Sequence, residues 1–222
     1  MSEPMSHRER VHASLAHREP DRVPIGFCSS TCTAIHKDGC ERLRQHLGMG
    51  GEPEFIHRSQ QIVDVGEEIK RRFDIDFRGI FLGGGDKGGD IELGEGRHKD
   101  KWGVIRTKPP SSLYYDVEES PLAGEITLGD IVRCPWLDPD DPGLTRGLRE
   151  RIKKIREGTD YALLLNVPSA FVHASQYLRG FEDWWMIVLA IIKSWKLFLM
   201  PYSRSIWPFA KMPCGPLGNR SM

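Results

Sequence analysis

The sequence predicts a mixed α/β protein, built as either a barrel or an open sheet. Two observations predict it. Stretches with helical periodicity are followed directly by short apolar runs: residues 54–73 by DIDFRGIFLGGG, and residues 144–158 by DYALLLNVPS. Runs that are apolar on both faces suit strands of a parallel sheet covered by helices. Composition agrees, since 39% hydrophobic and 28% charged residues over 222 positions suffice for a packed core.

The elements follow in order. Residues 6–15 read as a short helix, with Ser6 as N-cap and Glu9 as its capping-box partner. Val23-Pro24-Ile25 reads as a strand start with proline at its edge. Residues 34–48 look helical and stop at Gly48, before the breaker cluster GMGGEP. In 54–73, Phe55, Ile62, Val65 and Ile69 recur near helical spacing, and Lys70-Arg71-Arg72 suit a helix C-terminus. Residues 90–108 read as a β-hairpin insertion around a charged turn, and LYYDVEESPLAG and PWLDPDDPG as extended connections. Leu144, Leu148, Ile152 and Ile155 share one face of the next helix, and residues 171–186 look helical again.

Charge is balanced, 31 basic against 31 acidic residues. This points away from nucleic acid and from anionic membrane as partners. The cysteines Cys28, Cys32, Cys40, Cys134 and Cys214 are odd in number, and the N-terminus lacks an apolar signal core. Reduced thiols and a cytoplasmic location are therefore expected. The longest apolar stretch, 184–192, is too short to span a bilayer.

Character changes after Met186. Residues 187–222 hold no Asp or Glu, whereas all 31 acidic residues precede them. Read one base earlier, Trp195-Lys196 yields glutamate and Met200-Pro201 yields alanine, and an acidic amphipathic helix can follow FEDWWM. We expect residues 1–186 to form the fold and 187–222 to be a frameshifted tail.

Several residue groups could carry chemistry. Asp76, with Arg78 and Asp74 nearby, sits on or beside an apolar strand, where a carboxylate could hold a proton. An ion pair that fixes the strands is the alternative. Cys28, Cys32 and His36 could give three zinc ligands on a helix, but no fourth ligand is apparent and loop or buried thiols fit as well. GIFLGGGDKGG is glycine-rich after a strand, yet matches neither phosphate-loop pattern, so a flexible loop is the better reading. Trp102, Trp136, Tyr114 and Tyr115 are expected to pack, and the charged run 149–156 to face solvent.

The segments HREPDRVPIGF, RRFDIDFRGI, DKWGVIRT, YYDVEESPLA, PWLDPDDPG, GLRERIKKIREGTDYALLLNVP and YLRGFEDWWM, in that order, resemble the uroporphyrinogen decarboxylase superfamily. The resemblance is strongest to its subgroup related to cobalamin-dependent methyltransferases and covers residues 6–186. It implies the N-terminal part of a TIM (β/α)8 barrel, with the cleft at the C-terminal ends of the strands. It implies either porphyrin-type decarboxylation or methyl transfer involving a corrinoid protein. Zinc and corrinoid would belong to an intact relative, and no metal site is expected in this chain. Under the resemblance Asp76 and Tyr177 are the catalytic candidates, and Arg78, Arg179 and Phe27 the substrate-binding ones. Two departures weigh against decarboxylation. The Arg-Gln-Ala-Gly-Arg run that should follow the first strand is replaced by CSSTCTAIH after Phe27, and Gly83 stands where the decarboxylases carry an aspartate. A non-enzymatic remnant with an unclosed sheet is the competing expectation.

Overall fold

The computed structural model describes residues 4–136, 138–167 and 171–190. Along the chain come α1 (His7–Leu15), a 3-10 turn (Thr31–Thr33), β1 (Ile35–His36), α2 (Lys37–His46), β2 (Glu54–His57), β3 (Ile62–Asp64), α3 (Glu67–Arg72) and β4 (Phe77–Phe81). Then come β5 (Ile91–Gly94), β6 (Arg97–Lys99), β7 (Ile105–Thr107), β8 (Asp116–Glu119), α4 (Leu128–Arg133) and α5 (Pro142–Thr145). The last four are α6 (Leu148–Gly158), β9 (Ala162–Asn166), α7 (Phe171–Arg179) and α8 (Phe181–Ala190). The chain divides into two compact units.

The first unit comprises residues 1–83, 113–115 and 145–166. Its α1 has the expected capping box: Ser6 accepts from the Glu9 N–H while the Glu9 carboxylate accepts from the Ser6 N–H. The two expected apolar strands pair: β4 and β9 run parallel, Phe77 opposite Ala162 through Phe81 opposite Asn166. A second sheet is antiparallel, in the order β1-β3-β2. Beneath it Cys28, Cys40, Val63, Val65 and Ile69 form a solvent-free cluster, with Phe27 and Leu43 packed on it.

The expected helix over 54–73 is not formed. That stretch is β2, β3 and only then α3. Three β-branched residues in the four from Ile62 to Val65 favour a pleated strand. Gly66 at φ +89° then breaks the chain before α3 begins. Helix α2 covers only part of 34–48, because His36 caps it from a short strand. The expected strand at Val23-Pro24-Ile25 is an extended segment bonded to the sheet by Asp76 N–H donating to Ile25 O; Pro24 has no N–H for a ladder.

The second unit comprises 84–112, 116–144 and 167–222. The hairpin expected near 90–108 is present as β5–β6 and continues into a four-stranded antiparallel sheet, β5-β6-β7-β8. Glu95 and Gly96 both have positive φ, the backbone a tight two-residue hairpin turn requires. The core holds Val104, Leu122, Cys134, Leu178 and Trp184, with Trp102, Trp136 and Tyr177 packed against it. Strand β8 lies within the first expected extended connection, 113–124, and helix α4 lies between the two. The expected helix 144–158 is two pieces separated at Gly147, φ +65°. The helical stretch 171–186 is likewise divided at Gly180, φ +85°, and α8 runs on past Met186 to Ala190. The rest of the 187–222 tail lies outside the described residues.

The protein is thus mixed α/β. Its sheets are small, and among the described residues none closes on itself. No helix is long and apolar enough to cross a membrane.

Candidate functional site

Asp76 stands at the N-terminal end of β4, immediately after the turn that ends α3. It is wholly buried. One carboxylate oxygen accepts from Arg10 Nη1 at 2.5 Å; the other accepts from Arg22 Nη1 at 2.6 Å and from the Ile25 N–H at 2.7 Å. Arg10 also grips Asp21 through Nε (2.6 Å) and Nη2 (2.8 Å). The Asp21 pair holds the Arg10 guanidinium well above its ordinary range, with Asp76 adding to it against burial. The same Arg10 hydrogen bonds hold Asp21 far below the usual carboxylate range. Desolvation opposes the charge on Arg22, but its bonds to Asp76 and Asp74 outweigh it. With its two oxygens facing two cations and a backbone donor, the Asp76 carboxylate has no oxygen left free for a substrate. Asp76 therefore reads as the hub of a buried charge network that ties α1 and the 21–25 segment to β4. Arg10, Asp21, Arg22 and His7 were not singled out in the sequence. The signal was there in part, because Asp21-Arg22 precedes an apolar pair and Arg10 lies on the face of α1 shared with Ala13.

Arg78, on β4, points to the opposite side from its neighbours Phe77 and Gly79. Its Nε and Nη2 fork onto Glu67 at 2.8 and 2.9 Å, and its Nη1 donates to Ile75 O and Phe77 O. The guanidinium carbon lies 3.4 Å from the Tyr161 ring centroid. With donors and face both used, Arg78 fixes α3 and β9 to β4.

Phe27 packs against the cysteine-valine core rather than projecting alone. After it, the chain turns back on itself: Cys28 has φ +54°, and the Asn166 side-chain amide donates to Ser29 O at 2.9 Å. Gly79 makes room for this turn, since a Cβ there would lie 2.5 Å from Ser29 O. The C-terminal end of β9 and the loop after Phe27 thus meet through an amide and a carbonyl, and Ser29, Ser30 and Thr33 bring hydroxyls and no cation.

Tyr177 and Arg179 belong to the second unit, whereas Asp76, Arg78 and Phe27 belong to the first. Tyr177 is packed on the tryptophan-bearing core, with the Arg106 guanidinium 4.5 Å from its ring centroid. Arg179 is buried, donates from Nη1 to Leu122 O, and pairs with Asp183 at 3.1 Å, so it joins α7 to α8.

The zinc reading of Cys28, Cys32 and His36 does not fit their geometry. Cys28 is buried against Val63 O and its thiol is pushed up to about 11 by desolvation, while Cys32 is exposed. The His36 ring accepts from the Asp38 N–H and meets Leu113 O at 3.0 Å. Among the described residues no group of His, Cys, Asp and Glu could hold a metal ion.

The glycine-rich loop is cinched rather than open. Asp141 accepts from the N–H groups of Asp86 (2.9 Å), Lys87 (3.0 Å) and Gly143 (2.8 Å), and these bonds hold its carboxyl below the ordinary range. The clamp comes from the acidic PDDPG segment, and only its richness in aspartate hints at it.

In the first unit a cleft of about 730 Å³ opens between β2, β4 and α6. Phe55, Ile80 and Phe81 give it apolar surface, and Arg151 and Lys154 stand at its α6 side. Arg151 donates to Phe81 O at 3.1 Å, which holds α6 against β4. No protein-family model, curated protein or solved structure matches this chain.

Proposed function

We propose that this chain is the N-terminal portion of a (β/α) barrel of the uroporphyrinogen decarboxylase superfamily, one that handles a small molecule by methyl transfer with a corrinoid protein. The parallel β4–β9 pair, joined through α6, is the observation that carries the barrel reading. It is the β-helix-β repeat from which such barrels are built, and an eight-stranded barrel takes about 250 residues or more. Exposed Leu164 and Leu165 on β9 support it, since a strand inside a closed barrel covers such side chains with its neighbours.

Between the superfamily's two activities, the neutral rim after Phe27 favours methyl transfer. Tetrapyrrole decarboxylation needs cations for substrate carboxylates. Arg78 is spent on Glu67, and the loop 28–33 offers hydroxyls and the Cys32 thiol. Porphyrin-type decarboxylation remains the activity that the superfamily name implies. This chain's described residues supply no zinc ligand set, so no metal-assisted step is assigned to them.

The test starts from the coding DNA after codon 186, read in the earlier frame. Further strand–helix units there support the barrel; immediate stop codons overturn it and leave a non-enzymatic remnant. The longer protein would then be assayed with methylcobalamin, followed by the cobalt absorbance, and with uroporphyrinogen, followed by chromatography of the products. Decarboxylation without methyl transfer would overturn the preference stated here.

A further inference from the structure

We propose that His7 is a proton-operated clasp that fastens helix α1 to the two turns flanking the parallel strand pair. Its Nδ1 lies 3.0 Å from both oxygens of Asp160, in the turn before β9. Its Nε2 lies 2.9 Å from Asp74 Oδ1, in the turn before β4. A neutral imidazole has one N–H and one lone pair. Only the imidazolium can donate to both carboxylates at once. Loss of its proton leaves a lone pair facing an anion, so one of the two contacts turns repulsive.

The surroundings make this a switch rather than a fixed pair. The groups that face His7 come from every element packed around it. From the turn before β4 comes Asp74, whose other oxygen accepts from Arg22 Nη2 at 2.5 Å. From the α6–β9 turn come Asp160 and Tyr161, whose ring centroid is 4.6 Å from the imidazole. From α1 itself come Glu9, held by Ser6, and Arg8, which donates to Thr159 O and Tyr161 O. Behind Arg22 lie Asp76, Arg10 and Asp21.

Arg22 first, and His7 second, hold the Asp74 carboxyl below its ordinary range; for Asp160 burial works in the other direction and the His7 bonds prevail. The charged form of both carboxyls is thus favoured, and histidine is the side chain that ordinarily changes charge near neutral pH. Two further bonds do not use the imidazole: the His7 N–H donates to the Asp160 carboxylate at 3.0 Å and the Arg8 N–H to Asp160 O at 2.9 Å. Deprotonation thus loosens α1 without detaching it. The two carboxylates are both satisfied only while the imidazole carries its second proton.

Asp74 adds a consequence for the strand pair. It holds a left-handed backbone, φ +50°, between α3 and β4, and the clasp grips it there. Loosening His7 therefore leaves the turn that leads into β4 to the grip of Arg22, which donates to the Asp74 carbonyl and carboxylate.

The test is hydrogen exchange of the α1 amides in the whole chain at about pH 5.5 and about pH 8, corrected for intrinsic rates. Wild-type α1 is expected to be about ten-fold better protected at the lower pH. His7→Gln should abolish that difference, and His12→Gln, on the exposed side of α1, should keep it. Nitrogen-15 imidazole shifts of His7 should show both ring nitrogens protonated at the lower pH, a readout that needs no variant. A neutral ring there, or the same pH dependence in His7→Gln as in wild type, would overturn the clasp. Should His7→Gln fail to fold, the imidazole shifts and the wild-type exchange decide.

Discussion

Replacing Asp76 with asparagine tests whether the charge network holds the first unit together. The substitution preserves size. It removes the charge that Arg10 and Arg22 share and turns one acceptor into an N–H donor facing other donors. Removing one partner of a buried ion pair costs about 3–5 kcal/mol. Arg10 keeps Asp21 and Arg22 keeps Asp74, so the lower end applies, about 3 kcal/mol. With a urea slope of about 2 kcal/mol per molar, the unfolding midpoint should fall by about 1.5 M. The assay must report on the right unit. The four tryptophans among the described residues, Trp102, Trp136, Trp184 and Trp185, all fall in the second unit, so their fluorescence follows that unit. Urea-dependent hydrogen exchange of β4 and β9 peptides follows the first. A β4 midpoint shift below about 0.5 M would refute the reasoning. So would a variant of full stability that had lost catalysis in an active longer protein, because Asp76 would then be acting on substrate.

Gly79→Ala should destabilise the first unit by about 1–3 kcal/mol, seen in its melt, since the new methyl would meet Ser29 O at 2.5 Å and the Phe81 ring at 2.9 Å. An unchanged melt would show that the loop after Phe27 yields freely. Asp141→Ala should free the glycine-rich loop, giving about ten-fold faster tryptic cleavage after Lys87. In the wild type the Asp141 contribution is present above the unfolded carboxyl value and lost as pH falls through the lowered folded one, so Asp86 and Lys87 amide shifts should change only in acid. Alkylation mapped by mass spectrometry should modify Cys32 about 100-fold faster than Cys28 or Cys134, whose thiols burial pushes to about 11. Equal rates would mean that these cores open readily.

The parallel pair and the hairpin were legible because their signals are local. An apolar run such as IDFRGIF needs no partner to read as a strand, and Glu95-Gly96 marks its own turn. The stretch 54–73 misled because Phe55, Ile62, Val65 and Ile69 fit a helical spacing, while the deciding residue was Gly66. A glycine at positive φ looks in sequence like any other glycine. Asp76 was legible as important, with a proton-holding role and a strand-fixing ion pair both open. Whether a carboxylate works on substrate or on arginines depends on what stands opposite it, and Arg10 and Arg22 lie 66 and 54 positions away. Tyr177 and Arg179 were named beside Asp76 by resemblance; they belong to the second compact unit and Asp76 to the first.

The placement of β9 also sets a timetable. Phe77 pairs with Ala162, so one strand must wait for the chain between 77 and 162 to be made. At about 5–20 residues per second, that wait during synthesis is about 4–17 s. Through it the β4 backbone has no β9 to bond, and the second unit's four-stranded sheet, whose pairings are local, is complete well before the first unit's parallel pair can close. The nascent chain is thus most vulnerable to misassociation at β4 during that interval. Slowing translation between codons 82 and 162 should lengthen the exposure without changing the finished fold.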